Sequence, residues 1–128
     1  MGIVGLGMDL AQIERLREML ERRGERAYAR LFTAQERAYC ERRPLTKFNS
    51  YAGRFAVKEA VMKLLGTGWT RGVRWIDIEV VRERGSAPNV VLHGETARIA
   101  RARGIARIHI TITHDAGIAA AVAVGESA

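Results

Sequence analysis

Lysine is scarce in this chain. There are 18 Arg and only 3 Lys, and Lys47, Lys58 and Lys63 all fall in one short segment. Where arginine is the default cation, a local switch to lysine points to a compact, point-like ammonium, as is used at a phosphate. Cysteine is scarcer still. Cys40 stands alone, which excludes an internal disulfide, and no Cys/His cluster has zinc spacing. Aromatic residues make up only 6% and are not interleaved with a basic tract, so the single-strand-binding pattern is absent. No apolar run approaches the roughly 18 residues of a membrane span, and no basic-then-apolar leader opens the chain. The expectation is a cytoplasmic protein without a membrane partner.

What is present suits one domain over residues 1–128, long enough for a real core. Apolar residues are 48% and charged residues 27%, both ordinary for a globular chain. The net charge is +7 and the pI near 10.5. Such a surface attracts nucleic acid, anionic membrane or an acidic protein. The charge is spread out: residues 1–43 hold 9 Arg and 7 acids, the rest 12 Lys plus Arg and 7 acids. A specific acidic partner fits that distribution at least as well as a phosphate backbone.

"IVGLGMDL" (Ile3 to Leu10) reads as a strand, with Val4, Leu6 and Met8 on one side and Gly5, Gly7 and Asp9 on the other. Its Gly-x-Gly lacks the third glycine of a dinucleotide fingerprint. Ile13, Leu16 and Leu20 have helical spacing over Ala11 to Arg23, and Gly24 is a stop. Arg15, Arg17, Arg22 and Arg23 crowd the outer face between Glu14, Glu18 and Glu21. Ala27 to Phe32 suggests a further helical turn or two. "TAQE" (Thr33 to Glu36) is a capping box for a helix that ends before Pro44. The main helix runs from Lys47 to Leu65 and stops at Gly66. The second half alternates: "VRWIDIEVVRER", a "GSAP" turn and "NVVLH" predict a hairpin. Gly94 to Gly104 makes a short helix, "RIHITITH" turns Ile108, Ile110 and Ile112 inward, and "IAAAVAV" returns. The predicted class is α+β, a small antiparallel sheet packed on a long helix.

On the main helix Val57, Ala60, Val61, Leu64 and Leu65 form a broad apolar arc, extended by Phe55 and Met62. Glu59 and Lys63 share the narrow remaining side, while Lys58 and Arg54 fall at the edge of the arc. A solvated helix would devote a whole face to water. Asp9 at a strand end, Glu59, Lys63, Lys58, His109 and His114 are the residues with chemistry in reach. Two carboxylates from separate elements, close to lysines, suit Mg²⁺ held jointly with substrate phosphates. The lysines would neutralise the phosphate oxygens. From the residues alone this is an enzyme of phosphate esters or pyrophosphates. Two other classes compete. A basic nucleic-acid-binding module leaves Asp9 and Glu59 idle. A non-catalytic interaction domain leaves the Lys-Glu-Lys strip idle.

"GMDLAQIERL" and "RFAVKEAVMKLLGTG" resemble the two signatures of the short bacterial 4'-phosphopantetheinyl transferases, the holo-[acyl-carrier-protein] synthase type. Gly7, Asp9 and Arg15 meet the first pattern. Phe55, Lys58, Glu59, Ala60, Lys63 and Gly66 meet the second, and Leu64 departs from it where the family has alanine. "TITHDAGIAAAVAV" is similar to the family's closing strand pair, with His114 at its histidine. The resemblance spans nearly the whole chain. It implies that the 4'-phosphopantetheine arm of coenzyme A moves to a serine of an acyl carrier protein, of fatty-acid or polyketide type, with release of adenosine 3',5'-bisphosphate. It implies Asp9 and Glu59 on Mg²⁺, Lys63 on the developing charge, and Glu59 as a candidate proton acceptor. Arg54, Lys58, Gly66 and His114 would lie along the coenzyme, and Arg15, Arg22 and Arg26 would meet the acidic carrier. It further implies a homotrimer with sites between subunits, which would place Lys58 at an interface.

Overall fold

The structure is a computed structural model and describes residues 1–68, 72–83 and 85–128. Strand β1 (Ile3–Gln12) leads into helices α1 (Ile13–Arg23), α2 (Glu25–Leu31) and α3 (Ala34–Glu41). A 3₁₀ turn at Pro44–Thr46 opens the long helix α4 (Lys47–Leu65). A second 3₁₀ turn (Trp75–Asp77) precedes β2 (Ile78–Val81), followed by β3 (Asn89–Leu92), α5 (Gly94–Ala102), β4 (Arg107–Asp115) and β5 (Ile118–Glu126). Two antiparallel sheets result, one of order β1-β5-β4 and one of β2-β3. Helices and small antiparallel sheets share one domain, as the sequence predicts.

Helix α4 lies at the centre. The larger sheet covers one side of it; α3 and β2 cover another, and α1 a third. The sheet face turned to α4 is built from small residues: Gly5 and Gly7 of β1, with Ala119, Ala121 and Ala123 of β5 opposite. A Cβ at Gly7 would stand 1.8 Å from the Ala60 carbonyl oxygen. Glycine there lets strand and helix backbones approach, and this brings Asp9, two residues on, against the helix.

The alternation of β1 then dictates the other face. Leu6, Met8 and Leu10 point away from α4 and are more than half exposed. Their cross-strand partners are Val124, Val122 and Ala120. A three-stranded sheet therefore carries an uncovered apolar strip on its outer side.

Several boundaries moved. The first strand continues through Ala11 and Gln12, which pair with Ala119 and Ile118 of β5, so α1 begins at Ile13. Among the described residues of the long alternating stretch before "GSAP", four form a strand, because the backbone turns at Trp75–Asp77 first; Arg84 lies outside the described residues. The capping box is formed in both directions: Glu36 N–H donates to Thr33 Oγ1 and Thr33 N–H donates to Glu36 Oε1. Gly66 ends α4 in the left-handed region at φ 73°, a conformation glycine adopts without a Cβ clash.

Candidate active site

Asp9, Glu59 and Lys63 meet in the seam between β1 and α4. Asp9 faces the helix by strand alternation, and Glu59 and Lys63 project from successive turns of α4. The Lys63 ammonium donates to Asp9 Oδ1 at 2.8 Å and to the Met8 carbonyl at 3.1 Å. The Asp9 and Glu59 carboxyls share a hydrogen bond. Burial, then the hydrogen bond and charge of Asp9, push Glu59 up to about 7. Asp9 moves the other way. Burial raises it, but the hydrogen bonds from Glu59 and Lys63 outweigh that and hold it below the usual carboxylate range. The hydrogen bond to Asp9 and its charge raise Lys63. The pair thus gives up its second proton from Glu59, well above the usual carboxylate range.

Among the described residues no group of three or more His, Cys, Asp and Glu is gathered for a metal. The site offers two carboxyls already in contact, with the Met8 carbonyl beside them. That is an oxygen donor set for a hard cation taking its remaining ligands from phosphate and water. A shared proton between two such groups is what a divalent cation would replace. The residues fit Mg²⁺.

A cleft of about 790 Å³ opens beside Glu59. Leu16, Met19 and Phe55 line it, together with Arg15 and Arg22. An adjoining cleft of about 770 Å³ holds Arg23, Arg26 and Arg30 over Phe55 and Trp75. Those two rings stack, with centroids 5.1 Å apart and planes 12° apart. Glu18 lines the same cleft and offsets part of this charge, but the other two glutamates of α1 do not. Arg17 takes Glu14 and Glu21 for itself, and among the described residues Arg15, Arg22 and Arg26 make no ion pair.

Arg54 lies elsewhere. It is five residues before Glu59, which sets it about 140° around the helix axis. Its guanidinium stacks on the Tyr39 ring at 4.0 Å, and Arg42 stacks on that ring at 4.1 Å. Buried Nε and Nη2 of Arg54 have no hydrogen-bond partner. Tyr39, Arg42, Arg43 and Arg82 line a cleft of about 580 Å³ beside it. His114 is near this end of α4: its Nε2 is 2.9 Å from the Asn49 carbonyl. His109 pairs instead with Glu126 at 3.0 Å, on the outer side of the sheet.

Lys58 is corrected by the structure. It is wholly buried, and its ammonium donates to Glu36 Oε1 at 2.8 Å, the Ile78 carbonyl at 2.6 Å and the Trp75 carbonyl at 3.0 Å. All three N–H groups are used inside the core. None remains for a coenzyme phosphate, and the side chain faces no neighbouring subunit. Burial lowers its pKa against the opposing pull of Glu36.

Sequence reasoning missed Glu36 as the partner of a buried cation, and the arginine-flanked Tyr39. The capping-box pattern did give the position of Glu36 but not its second role. Nothing in the spacing marks Tyr39. The segment after Gly68 reaches Trp69, Thr70 and Arg71, which lie outside the described residues.

A family model described as the 4'-phosphopantetheinyl transferase superfamily matches residues 5–122. The chain belongs to that superfamily. Among curated transferases of the superfamily, the holo-[acyl-carrier-protein] synthase of Solibacter usitatus is 47% identical over 116 residues, 91% of this chain and 92% of that one. A solved Helicobacter pylori holo-[acyl-carrier-protein] synthase in complex with coenzyme A has a TM-score of 0.82 at 30% identity, covering 94% of this chain and 99% of that one. A Bacillus anthracis synthase in complex with CoA (3',5'-ADP) has a TM-score of 0.81 at 29% identity, with both chains covered in full. This phosphopantetheinyl transferase therefore resembles the synthases over its whole length, in sequence and in fold.

Proposed function

We propose that this chain moves the 4'-phosphopantetheine arm of coenzyme A onto a serine of apo-acyl carrier protein, giving holo-carrier and adenosine 3',5'-bisphosphate. Likeness to synthases of equal length, two of them solved with coenzyme A, supports the activity. The observation that carries the assignment to residues is the Asp9–Glu59–Lys63 cluster, where two carboxyls and an ammonium converge beside an open cleft.

In the transfer the serine oxygen bonds to the phosphorus that carries the pantetheine arm. The bond from that phosphorus to the bridging oxygen breaks, and its electron pair leaves with adenosine 3',5'-bisphosphate. The serine proton passes to Glu59, directly or across one water. Burial and the neighbouring Asp9 charge raise Glu59 above an ordinary carboxylate in the metal-free chain, which favours it as an acceptor. Lys63, more than half exposed on a flexible stem, places its charge on the leaving oxygen. Asp9 and Glu59 would hold Mg²⁺ against the pyrophosphate, where it would neutralise oxygen charge and make the phosphorus easier to attack.

Arg54, with two buried guanidinium nitrogens unmatched, is suited to a coenzyme phosphate; a buried donor left unpaired is costly unless a ligand meets it. His114 and Gly66 flank the coenzyme. Because Arg54 and Glu59 face different sides of α4, one coenzyme cannot readily meet both from one chain. Two copies supplying one group each would solve this, and the uncovered strip of Leu6, Met8 and Leu10 is the kind of face that packs against another copy. We therefore favour a homotrimer with sites between subunits. The free rim of Arg15, Arg22 and Arg26 suits an acidic carrier protein rather than nucleic acid. No described helix is long and apolar enough to cross a membrane, and Cys40 is buried and unpaired; the cytoplasm fits both. Release of adenosine 3',5'-bisphosphate from coenzyme A, dependent on both apo-carrier and Mg²⁺, tests the function.

A further inference from the structure

We infer that the buried Lys58–Glu36 pair is a positioning device, which sets the rotation of α4 so that Glu59 faces Asp9. The inference rests on Glu59 acting at the reaction centre, as proposed above. Its starting point is the number of elements that converge on two side chains. Lys58 belongs to α4. Its three donors go to Glu36 at the start of α3, to Trp75 in the turn before β2, and to Ile78 at the start of β2. Glu36 is equally committed. Oε1 also accepts from Thr33 N–H, and Oε2 accepts from the Val80 N–H of β2 at 2.9 Å. Both side chains are fully buried.

The sheet side of α4 gives its rotation little polar or interlocking definition. On its sheet side the helix rests on Gly5, Gly7, Ala119, Ala121 and Ala123, a surface with few ridges to interlock with a helix. A fixed direction must come from another face. Lys58 supplies it: consecutive helical residues point about 100° apart, so a side chain pinned toward α3 and β2 leaves Glu59 aimed at the β1 seam. A buried ion pair is weak evidence for stability, since apolar residues of like volume often serve as well. Its use as a device for specifying geometry is the better reason to keep one. The same anchor reaches further. Lys58 holds the carbonyl of Trp75, whose ring stacks on Phe55, and Phe55 lines the cleft beside Glu59. Helix rotation and cleft wall are thus tied to one ammonium.

The test separates geometry from stability. Lys58→Met keeps length but leaves Glu36 an unpaired buried charge, so the double variant Lys58→Met/Glu36→Gln is the informative one. We expect it to melt below the wild type, because the Trp75 and Ile78 carbonyls lose their donor, and, at a temperature where it is fully folded, to turn over about tenfold or more slowly with the coenzyme KM changed less than twofold. A double variant that melts and turns over like the wild type overturns the inference. Should the double variant not fold, Glu36→Gln alone carries the test. It keeps shape and one acceptor oxygen for Lys58, but it removes the charge and turns an NH2 group toward the Val80 N–H. A severalfold fall in turnover, measured where the variant is fully folded, supports positioning, and a wild-type rate contradicts it. Glu59→Gln is assayed in parallel. If that variant retains full turnover, it is the role of Glu59 that has failed, and with it the reading beneath this inference.

Discussion

The Lys63 ammonium stands 2.8 Å from the Asp9 carboxylate, joining residues 54 positions apart in the chain. The contact is exposed on the lysine side and screened by solvent, so it adds little to stability. Its value lies in where it holds a mobile positive charge. Lys63→Ala should leave the melting temperature nearly unchanged and lower turnover by about a hundredfold, the scale of losing one charge-stabilising donor at a reacting centre. Steady-state kinetics and a melting curve on the same preparation check this. A variant that loses stability but not turnover would reduce Lys63 to a structural ion pair.

The shared proton gives a pH signature without any substrate. Glu59 ionises near 7 in the folded chain, against an ordinary value of 4.5. Between those values the folded state keeps a proton that the unfolded chain releases. The wild type is therefore stabilised below about pH 4.5 by this group, and loses that contribution as pH rises through 7. Glu59→Gln cannot ionise and escapes the loss. In metal-free buffer the variant should gain melting temperature relative to the wild type on going from pH 5 to pH 8. A difference that stays constant over that range would mean the two carboxyls do not share a proton.

The outer face of the large sheet predicts assembly. Leu6 is paired with Val124 on a side that nothing among the described residues covers. Sedimentation should find three copies of the 14.2 kDa chain, and Leu6→Glu should give monomer with little activity. Because Arg54 and Asp9 would come from different copies, co-refolding inactive Arg54→Ala with inactive Asp9→Asn should restore part of the transfer. A wild type that sediments only as monomer removes the trimer. Co-refolded variants that stay inactive remove the shared site.

Much of this site was legible in the sequence, and the failures have physical causes. The sequence singles out Asp9, Glu59 and Lys63, and the structure brings them together, because strand alternation and helical spacing set side-chain direction. Lys58 was placed wrongly for a related reason. Spacing gives a direction around a helix but not what stands there, and α4 is covered on nearly every side. The apolar edge that looked like an interface is core, closed by Glu36, 22 residues upstream. Strand β2 came out short because alternation cannot foresee a turn stabilised by a distant ammonium at Trp75. The glutamates of α1 looked like a neutral surface because sequence cannot show that Arg17 alone engages two of them.

That pairing leaves Arg15 and Arg22 free at the rim of the cleft. Opposed charge steers encounter more than it tightens the bound state. Arg15→Glu with Arg22→Glu should raise the carrier's apparent KM about tenfold or more and flatten its salt dependence, with the coenzyme KM nearly unchanged. Carrier modification by the wild type that is insensitive to salt from about 0.05 to 0.5 M, where the Debye length falls below ~10 Å, would show that this helix does not recruit by charge.

The central claim is that the pair of carboxyls in the β1–α4 seam drives phosphopantetheine transfer. The most direct measurement is the mass of apo-carrier protein after incubation with coenzyme A, Mg²⁺ and either wild-type enzyme or Asp9→Asn. The account predicts that the wild type adds one phosphopantetheine group to the carrier, and that folded Asp9→Asn is slower by about a hundredfold or more. A carrier of unchanged mass with the wild type, or equal rates from the two proteins, would contradict it.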